Sequence, residues 1–228
     1  MKGKFSEVLR KPQNGDIAII AEVKRASPSA GEIKSIASPI EQAQKYEKGR
    51  ADAISVLTDA KFFHGSLDDL RQVVRAVSIP VLRKDFVIDE YQIYEAVAAG
   101  ASAILLIAAI LSAKQIQNFL DLASKLSLSC LVEIHNEKEL EKVLATSADI
   151  IGINARDLKT FKVDLQTIVD LAPKIPQGKI TVAESGIFNR EDIEKVKKAG
   201  CHVALIGTAL MKSDDPISKI KQLKGITS

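Results

Sequence analysis

Six side chains capable of proton transfer or polar contact sit at matching places along the chain. Each closes a short aliphatic run: Glu22 and Lys24 in Ala21-Glu22-Val23-Lys24, Lys84 in Leu82-Arg83-Lys84-Asp85, Glu133 in Leu131-Val132-Glu133, Asn154 in Gly152-Ile153-Asn154, and Glu184 in Val182-Ala183-Glu184-Ser185-Gly186. Lysine and glutamate facing each other in a partly dry pocket shift one another's proton affinity, which suits acid and base work at neutral pH. A solvated turn or a structural ion pair accounts equally well for any one of them. Their recurrence at equivalent places makes a shared pocket the simpler account, with Lys84 and Glu133 as its acid and base.

Other segments suggest what such a pocket would hold. Glu184-Ser185-Gly186 and Gly207-Thr208 follow the last two aliphatic runs, where backbone N–H groups can cradle phosphate. Lys24 and Ser27, the latter at the head of Ser27-Pro28-Ser29-Ala30-Gly31-Glu32, could add a charge and a hydroxyl. The small residues of that loop suit a movable lid. Pro28, Phe63, Phe86, Leu106 and Leu158 lie near the same ends and would suit an aromatic ligand. Packing beneath the loops explains each of them singly. His64, His135 and His202 lack metal-ligand spacing, so no metal is assigned.

These residues need a scaffold that brings strand ends together. Eight runs of strand character recur: 17–23, 53–58, 80–84, 103–108, 129–134, 150–154, 180–184 and 203–207. Between them lie helical spacings such as Leu67, Leu70, Val73, Val74, Val77 and Ile116, Phe119, Leu120, Ala123. Ser66, Asp89, Ser112 and Asn189 read as helix N-caps, and Ala99-Gly100 and Ala199-Gly200 as helix ends. Continuous apolar strands alternating with helices imply a parallel sheet covered by helices. No Gly-x-Gly-x-x-Gly follows the first run and no Walker-type phosphate loop occurs, so closure is preferred to an open nucleotide-binding sheet. The expected fold is α/β, a single-domain (β/α)8 TIM barrel over residues 17–228 behind a shortened N-terminal extension, residues 1–16. Alternation along strands puts Glu22 with Lys24, Lys84 with Leu82, and Glu133 with Leu131 on one face.

At 228 residues, 46% hydrophobic and 27% charged, the composition is that of a folded globular domain. Lys plus Arg outnumber Asp plus Glu by 32 to 29 and are scattered, which argues against nucleic acid as partner but allows a small anionic substrate. Cys130 and Cys201 stand far apart and read as free buried residues of a reducing compartment. Met1 to Lys11 has no apolar stretch of signal-peptide type, and the run Ala96 to Leu111 is too short to span a membrane. A cytoplasmic protein with no membrane partner is expected, with a monomer as its working state.

Taken in order, the segments 20–29, 57–59 with 63–66, 82–86, 131–135, 152–158, 183–187 and 206–208 resemble the indole-3-glycerol-phosphate synthase family of tryptophan biosynthesis. The resemblance covers nearly all of the chain from Ile17 onward. It implies a lyase that closes the indole ring of a small phosphorylated aromatic amino-sugar, releasing carbon dioxide and water without a cofactor. It further implies Lys84 as general acid on the ribulose carbonyl and Glu133 as its acid/base partner. Lys24, oriented by Glu22, would hold anionic parts of the substrate, while Asn154, Arg156, Glu184 and Ser185 position the rest. Gly186, Gly207 and Thr208 would bind phosphate, Ser27 and Pro28 would touch substrate, and Phe63, Phe86, Leu106, Leu158 and Leu205 would wall the anthranilate ring. Lys84 is expected to have its proton affinity lowered by burial among cations. Family members usually carry a longer N-terminal extension than the sixteen residues before Ile17. A phosphoribosylanthranilate isomerase would need a Cys/Asp pair, and Cys130 lies in the fifth run instead of ending the first. A non-catalytic barrel would not need every matched polar residue.

Overall fold

The computed structural model describes residues 5–12, 14–24, 26–27, 31–32, 38–157 and 160–226. Eight parallel strands close into a barrel: β1 (Ala18–Val23), β2 (Ala53–Leu57), β3 (Val81–Lys84), β4 (Ala103–Ile107), β5 (Ser129–Ile134), β6 (Ile150–Asn154), β7 (Ile180–Glu184) and β8 (Val203–Ile206). Each strand pairs with its neighbours in sequence, and β1 closes the ring on β8 through Ala18↔Val203 to Ala21↔Ile206. All eight runs read from the sequence are strands, with ends shifted by a residue at most. Among the described residues no helix is long and apolar enough to cross a membrane.

Two apolar layers hold the barrel. Residues such as Ile19, Ile54, Ile104, Val132 and Ile151 face outward and pack against the helices, including Tyr46, Leu70, Ile93 and Ile116. Inside, Ala18, Ile20, Ala53, Leu82, Ala103, Leu105, Leu131, Ile150, Val182 and Leu205 form a second cluster that fills the lower and middle barrel. The inward set includes Ile20, Leu82 and Leu131, so the alternation expected for Glu22, Lys84 and Glu133 holds. Leu106 is a correction: it belongs to the outer layer, while Leu105 and Ile107 face in. Ala-Ile-Leu-Leu-Ile carries an aliphatic residue at every position, so the sequence of β4 contains no phase to read.

The helix caps follow the sequence closely. Ser66, Asp89, Ser112 and Asn189 each accept a backbone N–H from the first turn, the last three within reciprocal capping boxes. Gly100 and Gly200 both adopt positive φ just after helices ending at Ala98 and Lys198.

The stretch before β1 forms a short helix, Phe5–Arg10, that closes the lower end of the barrel. Phe5 and Leu9 insert into the inner cluster, and Arg10 donates to Asp149 Oδ1 at 2.6 Å and to the Gly178 carbonyl at 2.8 Å, in the loops that enter β6 and β7. Phe5, Val8 and Leu9 keep helical spacing, but six residues are too short a window to establish a period, which is why the sequence did not reveal this plug.

The C-terminal helix, Pro216–Lys224, is tied down by a buried ion pair. Lys224 Nζ donates to Asp52 Oδ2 at 2.6 Å and to the Arg50 carbonyl at 2.9 Å, and the same carboxylate oxygen accepts the Ile19 N–H at 2.8 Å. Both side chains are shut away from water. Lys224→Met therefore leaves an uncompensated buried carboxylate and should cost about 3–5 kcal/mol. The check is a urea midpoint that falls at constant slope, with part of the loss recovered in the double variant with Asp52→Asn.

Candidate active site

The upper ends of the strands open into a cavity of about 320 Å³. Its lining includes Glu22, Lys24, Lys84, Glu133, Asn154, Arg156, Ser185, Gly186, Gly207 and Thr208, together with Phe63, Phe86 and Leu205. Thirteen residues singled out from the sequence thus meet in one place. Glu184 lies just beneath them, 1% exposed. The side chain of Ser27 lies outside the described set, although its backbone pairs as Ala26–Ser27 with Gly31–Glu32. Pro28 and Leu158 lie outside the described residues.

The charged groups are ordered around Glu22. Its Oε1 stands 2.9 Å from Lys24 Nζ and its Oε2 3.1 Å from Lys84 Nζ, so one buried carboxylate spans two ammonium groups. Burial alone would raise the Glu22 pKa, but the two lysines outweigh it and hold the group at about 2. Lys84 also lies 3.5 Å from Glu184 Oε2. The expectation that its proton affinity is lowered is wrong. Burial does act in that direction, but Glu22, Glu184 and Glu133 together outweigh it and raise the pKa. Its neighbours are mainly anions, which the linear order of residues did not display.

Glu133 and Glu184 form a carboxyl pair. Burial, followed by the charge of Glu133, pushes Glu184 up to about 8. Glu133 moves the other way: burial opposes ionisation, but hydrogen bonding to His135 and the charge of Lys84 pull it down. Two adjacent buried carboxylates cannot both ionise cheaply, so the pair retains one proton at neutral pH, resident on Glu184. Glu184 makes no hydrogen bond to a conventional donor among the described residues. A protonated Glu184 can donate, and the neighbouring Glu133 carboxylate can only accept.

The backbone makes room for these groups. Gly152 sits beside Glu133 in the β5–β6 register, and a Cβ there would stand 2.1 Å from Glu184 Oε1. A Cβ on Gly207 would likewise fall 2.9 Å from Lys24 Nζ. After β7, Ser185 and Gly186 take φ of 67° and 79°, folding the chain onto the cavity wall. A non-glycine residue in that region is uncommon and is often found where a site is built. Ser185 Oγ donates to Asn154 Oδ1 at 2.8 Å, and the Arg156 N–H donates to the same oxygen at 3.0 Å. These bonds identify Oδ1 as the acceptor edge of the amide and leave its donors on Nδ2. Gly207 precedes the short helix Thr208–Met211 without a side-chain cap, and Gly207 and Thr208 both line the cavity.

Strand alternation aims Lys84 inward with Leu82, and its neighbours Arg83 and Asp85 pair with each other. Arg83 donates to Asp85 Oδ2 at 3.0 Å and to the Gln92 carbonyl at 2.7 Å, while Thr58 Oγ1 donates to Asp85 Oδ2 at 2.6 Å. The aromatic wall centres on Phe86, whose ring lies 6.1 Å from that of Phe62 and 6.4 Å from that of Phe63. Phe62, Leu105, Ile107, Phe161 and Phe188 were not picked out from the sequence and also line the cavity. Phe62 follows the Asp59 N-cap of helix Ala60–Phe63, a capping signal that could have placed it. Cys130 packs in the outer layer, away from the cavity.

Comparison with known proteins agrees with this geometry. Among solved structures, 3-hexulose-6-phosphate synthase from Salmonella typhimurium superposes with a TM-score of 0.74 at 11% identity, covering 92% of this chain and 98% of that one, a likeness of fold alone. The indole-3-glycerol phosphate synthase of Desulfosudis oleivorans is 49% identical over 223 residues, 97% of this chain and 85% of that protein. The enzyme of that name from Aquifex aeolicus is 51% identical over 209 residues, 91% of this chain and 81% of that protein. The family profile described as "Indole-3-glycerol phosphate synthase" matches residues 1–223. With that match and these relatives, the chain belongs to the indole-3-glycerol phosphate synthase family, decarboxylating lyases of tryptophan biosynthesis that act on a phosphorylated small molecule.

Proposed function

We propose that this cavity converts 1-(2-carboxyphenylamino)-1-deoxyribulose 5-phosphate to indole-3-glycerol phosphate, with carbon dioxide and water as the other products and no cofactor. The observation that carries the assignment of roles is the position of Lys84 Nζ, between Glu22 and Glu184 in an apolar-walled cavity. Ring closure drives an aromatic carbon onto the ribulose carbonyl, and negative charge builds on the carbonyl oxygen. A fixed ammonium in a dry site stabilises that oxygen by a charge-assisted hydrogen bond. Because its anionic neighbours raise the proton affinity of Lys84, it acts first as this electrostatic donor. It then supplies its proton as the departing hydroxyl becomes water.

Dehydration also needs a base, and the Glu133/Glu184 pair is suited to it. Glu133 is the ionised member that takes up the proton released from carbon. The pair then holds two protons and passes one through Glu184 to Lys84 Nζ, 3.5 Å away, which restores both, while the proton that makes the alkoxide a hydroxyl enters from solvent and balances the carboxylate lost as carbon dioxide. Lys24, oriented by Glu22, holds the carboxylate to be lost, while Asn154, Arg156 and Ser185 position the chain of hydroxyls. The phosphate rests on backbone N–H groups of Gly186, Gly207 and Thr208. Phe63, Phe86 and Leu205 wall the anthranilate ring, joined by Leu105 and Ile107 in the place first given to Leu106. Ser27, Pro28 and Leu158 keep substrate-binding roles on the family resemblance. All lining groups come from one barrel, so a single chain is taken as the active unit, working in the cytoplasm.

Two variants test the roles. The purified chain should turn over the carboxyphenylamino-deoxyribulose phosphate with a rise in indole fluorescence. Lys84→Ala should lose about 100-fold or more in kcat while still binding product, and normal turnover by that variant would overturn the assignment. Gly152→Ala should stay folded, because the added methyl meets the end of a side chain and not the backbone. Displacing Glu184 should nevertheless lower kcat by about 100-fold. Unchanged kcat in Gly152→Ala would remove Glu184 from the chemistry.

A further inference from the structure

His135 lies two residues beyond Glu133, just outside the cavity lining, and the roles given above do not use it. Its side chain is 10% exposed and sits between two carboxylates. Nδ1 is 3.1 Å from Glu139 Oε2, and the same oxygen accepts the His135 backbone N–H at 2.8 Å. Nε2 stands 3.3 Å from Glu133 Oε1, within ion-pair distance, and makes no hydrogen bond among the described residues. Glu139 is itself fixed: its Oε1 accepts from Asn136 Nδ2 at 2.8 Å, and its backbone N–H caps onto Asn136 Oδ1 at 3.0 Å. It stands in the first turn of helix Glu137–Leu144, where an anion is favoured.

The protonation state of the ring follows from these contacts. With Nδ1–H donating to Glu139, a neutral ring would leave the electron-rich Nε2 3.3 Å from an oxygen of Glu133, negative beside negative. A proton on both nitrogens removes that conflict, keeps the donor to Glu139 and sets a positive ring 3.3 Å from Glu133. We propose that His135 is a positioning residue, its imidazolium clamped by Glu139 and set against Glu133 so that Glu133 stays ionised and the shared proton of the carboxyl pair stays on Glu184. Burial opposes a charged ring, but Glu133 and Glu139 outweigh it and hold His135 at about 10. The other titratable groups that bear on Glu133 are Lys84 from β3 and Glu184 from β7. Lys142, on the same helix as Glu139, is turned away to the carbonyls of Ala108 and Leu111. The inference deepens the proposed function, since it assumes that Glu133 and Glu184 serve the reaction as a pair.

The test reads the pair directly in the unliganded protein. Infrared difference spectra over pH should show a carboxylic C=O band that disappears as pH rises through about 8, and that band should be missing from Glu184→Gln. The sign is set by charge. Removing an imidazolium raises the proton affinity of the pair, so in His135→Gln the band should persist to higher pH, by about one unit or more. Nuclear magnetic resonance of ring-labelled histidine should find His135 protonated at neutral pH and titrating at lower pH in Glu139→Gln, a variant that leaves the ring in place. The kcat/KM of His135→Gln should fall by a factor that changes with pH. A band that stays at its original pH in folded His135→Gln, with the same fractional loss of kcat/KM at every pH, would overturn the proposal and leave His135 a packing residue. A neutral ring at neutral pH would also overturn it. The infrared and resonance readings do not involve substrate, so failure of the wild-type chain to make indole-3-glycerol phosphate would count against the proposed function alone.

Discussion

Charge burial is the constraint on which the site depends. Glu22, Glu133 and Glu184 are each less than 5% exposed, in a barrel whose lower interior is largely apolar. Taking an ion out of water costs several kcal/mol unless an opposite charge and hydrogen bonds answer it. The barrel supplies those answers from different strands: Lys24 and Lys84 around Glu22, Lys84 near Glu184, and His135 beside Glu133. With Glu139 beside His135 the carboxylates number four against three cations, and the one excess negative charge is removed by keeping a proton on Glu184. The need for neutrality therefore fixes in one arrangement which groups are charged, where they point, and where a spare proton resides.

The rest of the fold serves that arrangement at a distance. Parallel closure brings the ends of eight strands to one rim, and the alternation of side chains sends Ile20, Leu82, Leu131 and Val182 into the core beneath Glu22, Lys84, Glu133 and Glu184. The Phe5–Arg10 helix closes the opposite end of the barrel, so the interior under the charges stays dry. Gly152 and Gly207 give up side chains at the two points where the charged groups need volume. Dryness and spacing together make the ammonium of Lys84 worth more in catalysis than it would be in water.

Much of this was legible in the sequence because strand position and side-chain phase are local properties. Glu22, Lys84, Glu133 and Asn154 announced themselves by ending aliphatic runs, and the helix caps by their residue types. The phase of β4 could not be read, since five consecutive apolar residues leave no alternation, and Leu106 was misplaced for that reason. The sign of the Lys84 shift depends on which charges face it across the barrel, a property of closure and not of chain order. The Phe5 plug is too short for a periodic signal. His135 carried the right chemistry in plain view, but its role depends on Glu139 folding back from the next helix.

The central claim is that Lys84 is a permanent ammonium held by surrounding carboxylates. The most direct measurement is the pH titration of its side-chain carbon resonance in protein labelled at lysine Cε, with Lys84→Arg used to assign the signal. A Lys84 resonance that keeps its ammonium position up to the alkaline limit of the folded state is the predicted result. Titration near neutral pH would show a neutral amine in the resting site and would contradict the account.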